Sequence, residues 1–373
     1  MAGVPKLSRR TRWAIPVGAL AVTGAVIGGS LISVAQASPG LPSRTPAQLL
    51  AQVADSATPP LTGTVVETTS LGLPSLPGTT NPTSIASLLT GSHTVRVWYS
   101  GPRHFRLAVP EPLSETDVIA DGNTAWQWES TANAVTEYSL PAHSTAPQTA
   151  PTTAPLTPQQ AAQQVLAAVG PTTTVSVDSN VTVAGQPAYE LVLAPKDSRS
   201  LVGQVQIAID GKNGVPLRLQ VYARGASSPA FQVGYTSIQF VTPAPADLTF
   251  TPPSGAKVSH VNLTQPSGSD HTGGDVSTIG SGWLTVLDLP SAGLTAPSGS
   301  GSSGASPAGD SAAVLNALLQ SATPVSGTWG SGRLLQTSLV SVLITDGGRM
   351  FAGAVQPSVL YAAAGQAATG SQS

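Results

Sequence analysis

Apolar positions along this chain change their spacing several times, and each change marks an element. Between Ala14 and Val34 they form one uncharged run. After a proline-rich stretch, Thr45-Pro46 offers an N-cap with proline at the first helical position, and Leu50, Val53, Ala54 and Ala57 follow at helical spacing, which predicts a helix over 46–57. From Leu61 the period shortens. Leu61–Thr69 reads as a strand, 71–82 as a loop and 84–89 as a short helical turn. Thr94–Tyr99, Phe105–Val109, Thr116–Ala120, Ala125–Glu129 and Val135–Leu140 are separated by Gly101-Pro102, Asp121-Gly122 and similar turn formers, the pattern of an antiparallel meander.

Residues 141–158 are mostly Ala, Thr, Ser, Gln and Pro and read as a linker or long loop. Thr157-Pro158 repeats the capping device, and Ala161, Val165, Leu166 and Val169 give a second helical stripe ending at Gly170-Pro171. Strands resume at Thr174–Val177, Val181–Ala184, Tyr189–Leu193, Val205–Ile209, Leu217–Ala223 and Phe231–Phe240, so 45–260 reads as one domain of antiparallel strands with two principal helices. The stretch 261–310 is rich in Gly and Ser, and within it only Trp283–Leu289 reads as a strand. A small helix-and-hairpin unit is expected at 311–363, with Trp283–Leu289 packed on it as a further strand. Its helix, capped by Asp310, carries Val314, Leu315, Leu318 and Leu319, and Thr345-Asp346-Gly347-Gly348 turns between Gly332–Ile344 and Met350–Val355.

Charge changes the picture at the start of the chain. Lys6, Arg9, Arg10 and Arg12 precede the apolar run, and Ala35-Gln36-Ala37 follows it, which predicts a signal peptide over 1–37 or an uncleaved anchor of the same extent. Without cysteine the chain has no disulfides, lipid-modified cysteine or thiolate metal site. Of 16 basic and 18 acidic residues, the first 37 hold four basic and no acidic ones, leaving 12 against 18. That mildly acidic balance speaks against nucleic acid as a partner. The wealth of Ala, Gly, Pro and Thr suggests an actinobacterial source, and an extracytoplasmic or envelope location follows from the export signal.

Catalytic chemistry finds little to build on. His93, His104, His143, His260 and His271 never stand at a helical metal-ligand spacing, so no metal or other cofactor is expected. Gly299-Ser300-Gly301-Ser302-Ser303-Gly304 matches a dinucleotide-binding string, but no strand leads into it. There is no G-x-S-x-G elbow, and Glu111 and Glu115 flank a turn as solvated charges do. A binding protein rather than an enzyme is expected. Aromatic placement is the feature that remains: Trp126 and Trp128 share one face of their strand, and Trp98, Phe105, Tyr138 and Tyr189 lie on other strands of the same domain. Two readings stand, a filled sandwich core and the lining of an open cavity.

Asp121-Gly122-Asn123-Thr124-Ala125-Trp126-Gln127-Trp128, followed by Asn133-Ala134-Val135-Thr136, resembles the strand-turn-strand of the periplasmic lipoprotein carriers called LolA-like. Tyr189-Glu190-Leu191-Val192-Leu193-Ala194-Pro195-Lys196 looks like a late strand of that family, Ile207–Asp210 through Val215–Arg218 like its next hairpin, and Phe250-Thr251-Pro252-Pro253-Ser254-Gly255 like its closing segment. The resemblance covers 45–260 and implies a mainly β fold, an incomplete antiparallel barrel with a helical lid around an apolar cavity, shared with the sigma-E regulatory protein B. It also implies a site lined by Trp98, Phe105, Trp126, Trp128, Tyr138, Tyr189 and Leu191. Two functions compete within it: a carrier that binds a lipid acyl chain or lipoprotein, and a sensor that binds a membrane protein partner. The linker at 141–158 and everything after 266 have no counterpart in the small carriers.

Overall fold

The computed structural model describes residues 40–73, 90–140, 166–167, 170–262, 277–290 and 317–370. The expected signal peptide, the helical turn at 84–89, the linker at 141–158 and the Gly/Ser run before residue 277 and after residue 290 lie outside them. Of the second helix, residues 166–167 are described as helical, and the N–H of Gly170 bonds to the carbonyl of Leu166 at 2.8 Å. Of the helix expected after Asp310, residues 317–321 are described and are helical.

Two open, curled sheets and a few helices make up the described fold. Helix α1 (Pro46–Asp55) starts where the sequence places it: Thr45 accepts from the Gln48 N–H, and the Gln48 side chain accepts from the Thr45 N–H, a reciprocal capping box. The first sheet is built from β1 (Leu61–Ser70), β2 (Thr90–Gly101), β3 (His104–Pro110), β4 (Glu115–Asp121), β5 (Thr124–Glu129), β6 (Ala134–Ser139), β7 (Thr173–Val183), β8 (Gln186–Pro195), β9 (Val202–Asp210), β10 (Pro216–Ala223), β11 (Phe231–Gln239) and β12 (Lys257–Asn262). These twelve strands run in the order β12-β6-β5-β4-β3-β2-β1-β11-β10-β9-β8-β7. The strands expected at Thr174–Val177 and Val181–Ala184 are one, β7, which stays on its partner β8 through a register break between Val177 and Asn180.

The pairing of β12 with β6 is parallel, whereas the other pairings of this sheet are antiparallel. The cause is the connection: after β11 the chain crosses the sheet through a short helix α2 (Pro245–Leu248), packed over β3 and β4, before β12 reaches the far edge. Neither α2 nor β12 was expected from the sequence. One core cluster centres on Leu61, Val65, Val95, Val97, Leu217, Val233 and Ile238. Gly63 sits within it because a Cβ there would stand 2.6 Å from the Ser237 carbonyl and 3.0 Å from the Tyr235 ring. Burial of that ring pushes the Tyr235 hydroxyl up to about 12. A second cluster joins Leu49 of α1 to Tyr189, Leu191 and Ile209.

The C-terminal unit is larger than a helix and hairpin with one further strand. It is a six-stranded sheet, β13 (Ser277–Ile279), β14 (Val286–Pro290), β15 (Thr323–Gly327), β16 (Gly330–Gln336), β17 (Ser341–Thr345) and β18 (Arg349–Gly353), ordered β13-β14-β18-β17-β16-β15. Trp283 falls in a 3-10 turn (Gly282–Leu284) before β14. Helix α3 (Pro357–Gly370), unexpected from its weakly patterned alanine-rich sequence, packs Leu360, Ala363 and Ala364 against Val286, Leu343 and Phe351. This sheet meets the first one: Leu201 N–H bonds to the Ala354 carbonyl at 2.9 Å, Gln356 N–H to the Arg199 carbonyl at 2.8 Å and Trp283 Nε1 to Thr173 Oγ1 at 2.7 Å. Val202, Ala230 and Leu339 are buried at the junction.

Candidate functional site

Register decides which side chains share a surface. Across β2 to β6, Trp98 stands opposite Arg106, Arg106 opposite Ile119, Ile119 opposite Trp126 and Trp126 opposite Glu137. The next row along the same face runs from Arg96 through Ala108 and Asp117 to Trp128 and Val135. Trp98, Trp126 and Trp128 therefore occupy one face. Phe105 and Tyr138 belong to the row Tyr99–Phe105–Ala120–Ala125–Tyr138 and point to the other. Tyr189 and Leu191 lie elsewhere, each 1% exposed beneath α1, with the Tyr189 hydroxyl bonded to the Pro42 carbonyl at 2.7 Å. The seven residues expected to line one cavity thus occupy three separate surroundings.

The tryptophan face is roofed over its middle. Phe250, just past α2, meets the Trp126 ring at 6.0 Å between centroids, and Ala108, Ile119 and Val135 beneath the crossing are buried. A charged cluster lies there with them, with Asp117 buried and Arg106 and Glu115 half-buried. Arg106 pairs with Asp117, lies 3.6 Å from Glu115 and places its guanidinium 5.5 Å from the centre of the Trp98 ring. Trp126 Nε1 donates to Glu137 at 3.3 Å. Burial pushes the Asp117 carboxyl up to about 6, although Arg106 pulls in the opposite direction. Asp117 Oδ1, Trp128 Nε1 and Arg106 Nε have no hydrogen-bond partner among the described residues.

Beyond the roof, towards β1 and β11, the same face opens into a groove of about 500 Å³. Two rows of side chains cross it. Arg96, Thr64 and Ser237 form one, and Trp98, Thr62 and Gln239 the other. Hydroxyl and amide groups thus alternate with one guanidinium and one indole, and no carboxylate lines the groove among the described residues. This polar recess differs from the apolar cavity that the family resemblance implied. Sequence reading missed Arg96 and the Thr, Ser and Gln members, because such residues on an alternating strand look like an ordinary solvated face until register sets three strands side by side.

On the opposite face of β1 and β2 a second buried group joins Glu67, Thr69 and His93. His93 Nε2 stands 3.8 Å from Glu67 Oε2, and the Thr69 hydroxyl donates to Glu67 Oε1. Burial raises the Glu67 carboxyl above its ordinary value. Because that hydroxyl is bonded to the carboxylate, the group does not form a hydroxyl–imidazole nucleophile pair. No grouping of His, Asp and Glu suited to a metal ion occurs among the described residues, and no described helix is long and apolar enough to cross a membrane.

No protein-family model matches the chain, and no curated protein matches it. Among solved structures, the chain is similar to MucB in complex with MucA(peri), at 15% identity over 86% of this chain and 97% of that one, with a TM-score of 0.42. The Pseudomonas aeruginosa MucA/MucB complex gives 15% identity, 85% and 95% coverage and a TM-score of 0.40. A LolA superfamily protein from Nitrosomonas europaea gives 12% identity, 56% and 99% coverage and a TM-score of 0.22.

Proposed function

We propose that this protein is an exported envelope protein that binds an extended segment of a partner protein in the groove across β11, β1 and β2, as a sensor or regulator rather than an enzyme. The groove's composition carries this reading. Thr62, Thr64, Ser237 and Gln239 present donors and acceptors suited to a peptide backbone, and Trp98 offers an apolar wall for a side chain. The basic and apolar N-terminal sequence supports export. The sequence resemblance over 45–260 supports a binding role, since the family that it implies includes a regulator with a membrane protein partner.

A second reading, binding of an acyl chain, is favoured by Trp98 itself, whose ring would accept methylene groups as readily as an amino-acid side chain. Photo-crosslinking in the native envelope separates the two. A benzophenone amino acid at Thr64, with the full-length protein shown to be folded, should yield an adduct whose mass and fragments are those of a peptide. An acyl adduct would shift the assignment to the carrier reading. Adducts from control positions outside the groove, with none from Thr64, would refute both.

A further inference from the structure

Arg96 stands apart from the other described arginines. Arg106, Arg199, Arg218 and Arg349 pair with carboxylates, Arg44 and Arg103 bond to side-chain amides, and Arg224 and Arg333 bond to backbone carbonyls. Arg96 is exposed and has no such partner among the described residues. Among the described residues it is also the only charged one lining the groove, in a protein whose net charge is −2. Its near neighbour Arg106 is already offset by Asp117 and Glu115. The groove therefore presents one uncompensated guanidinium among neutral hydroxyls and an amide.

Arg96 and Trp98 are two residues apart on β2 and share a face, so their side chains emerge about 7 Å apart along the strand. An extended peptide repeats its own side chains on one face with the same spacing. A carboxylate at one position would lie against Arg96 as an apolar side chain two residues away reached Trp98, with the backbone between them running past Thr62 and Thr64. A guanidinium binds carboxylate in a two-pronged geometry, which fixes direction as well as charge.

We infer that the groove selects an acidic partner segment of the form acid-x-apolar, or its reverse order, held by Arg96 and Trp98; this rests on the partner-binding reading above. The test is fluorescence anisotropy with the full-length protein and fluorescein-labelled peptides of sequence Ser-Glu-Ser-Leu-Ser and Ser-Leu-Ser-Glu-Ser, each compared with its glutamine and lysine analogues. The wild type should bind one glutamate peptide about tenfold more tightly than its glutamine analogue, as expected when a charge-assisted hydrogen bond is exchanged for a neutral one. Arg96→Gln, at an exposed position, should fold normally and bring that ratio close to one. Arg96→Glu should reverse it in favour of the lysine peptide.

Equal binding of glutamate and glutamine peptides by the wild type would overturn the acidic selectivity and leave the groove as a neutral peptide site. Arg96-dependent binding of phosphatidylglycerol vesicles, with no peptide binding, would overturn it in favour of a lipid headgroup. No binding of any peptide, together with a peptide adduct at Thr64, would refute the acid-x-apolar pattern alone. The same result without that adduct would remove the partner-binding reading as well.

Discussion

Asp117 should make the folded protein less stable at neutral pH than in mild acid. Its side chain is fully buried on the tryptophan face, and burial raises its carboxyl from an ordinary value of 3.8 to about 6 despite the pairing with Arg106. Between those two values the folded chain holds a proton that the unfolded chain has released. A group shifted in this direction contributes its stability below the unfolded value and loses it as pH rises through the folded one. Two pH units at 1.36 kcal/mol each correspond to about 3 kcal/mol lost by pH 7. Asp117→Asn keeps the shape and removes the titration. Urea unfolding of both proteins from about pH 4 to about pH 7 should therefore show near-equal stability at the acid end and a gap that opens in favour of the variant towards neutrality. Glu67, whose carboxyl is also raised, titrates in both proteins and cancels in the difference. A gap that stays constant, or that opens in favour of the wild type, would refute the reasoning and make the Arg106 pairing the dominant effect.

Arg106→Leu strands the buried Asp117 without its cation and should cost about 3–5 kcal/mol at neutral pH, with much of the loss recovered near pH 4, as urea midpoints at the two pH values would show. Arg349→Met removes both bonds, at 2.8 and 2.6 Å, that a half-exposed guanidinium makes to Asp288, which is 2% exposed; a loss of about 1–3 kcal/mol is expected, read as early unfolding of the C-terminal sheet in hydrogen exchange. Gly332→Ala would place a Cβ 2.3 Å from the Ile344 carbonyl, so β16 and β17 must separate locally, and a thermal midpoint unchanged from wild type would contradict that packing. Trp126→Ala removes the half-buried ring against Phe250 and should cost about 1–3 kcal/mol in chemical denaturation.

Much of the first sheet was legible because its strands alternate and its turns carry Gly-Pro and Asp-Gly signals, so β3 to β6 fall close to their expected bounds. What escaped depends on contacts made far along the chain. Lys257–Asn262 is exposed throughout and has no buried alternation to betray a strand; it is held by parallel pairing to β6. Helix α3 carries Ala where a patterned helix would carry Leu, and its burial comes from the sheet it covers. The pair Trp126 and Trp128 could be assigned to one face from spacing alone, whereas Trp98 required the register of three intervening strand pairings to join them. Phe105 and Tyr138 looked equivalent to the tryptophans for lack of that same register. The groove was hidden for a related reason: Arg96, Thr64 and Ser237 come from strands that are distant in sequence and adjacent only in the sheet.

Hydrogen–deuterium exchange of the full-length protein, with and without a saturating acid-x-apolar peptide, tests the groove most directly. Slowed exchange confined to 61–70, 90–101 and 231–239 is the predicted result, since those segments form β1, β2 and β11 around Arg96 and Trp98. Protection centred on α1 and on β8 around Tyr189 and Leu191, with those three segments unchanged, would contradict it and place the ligand beneath the helix instead.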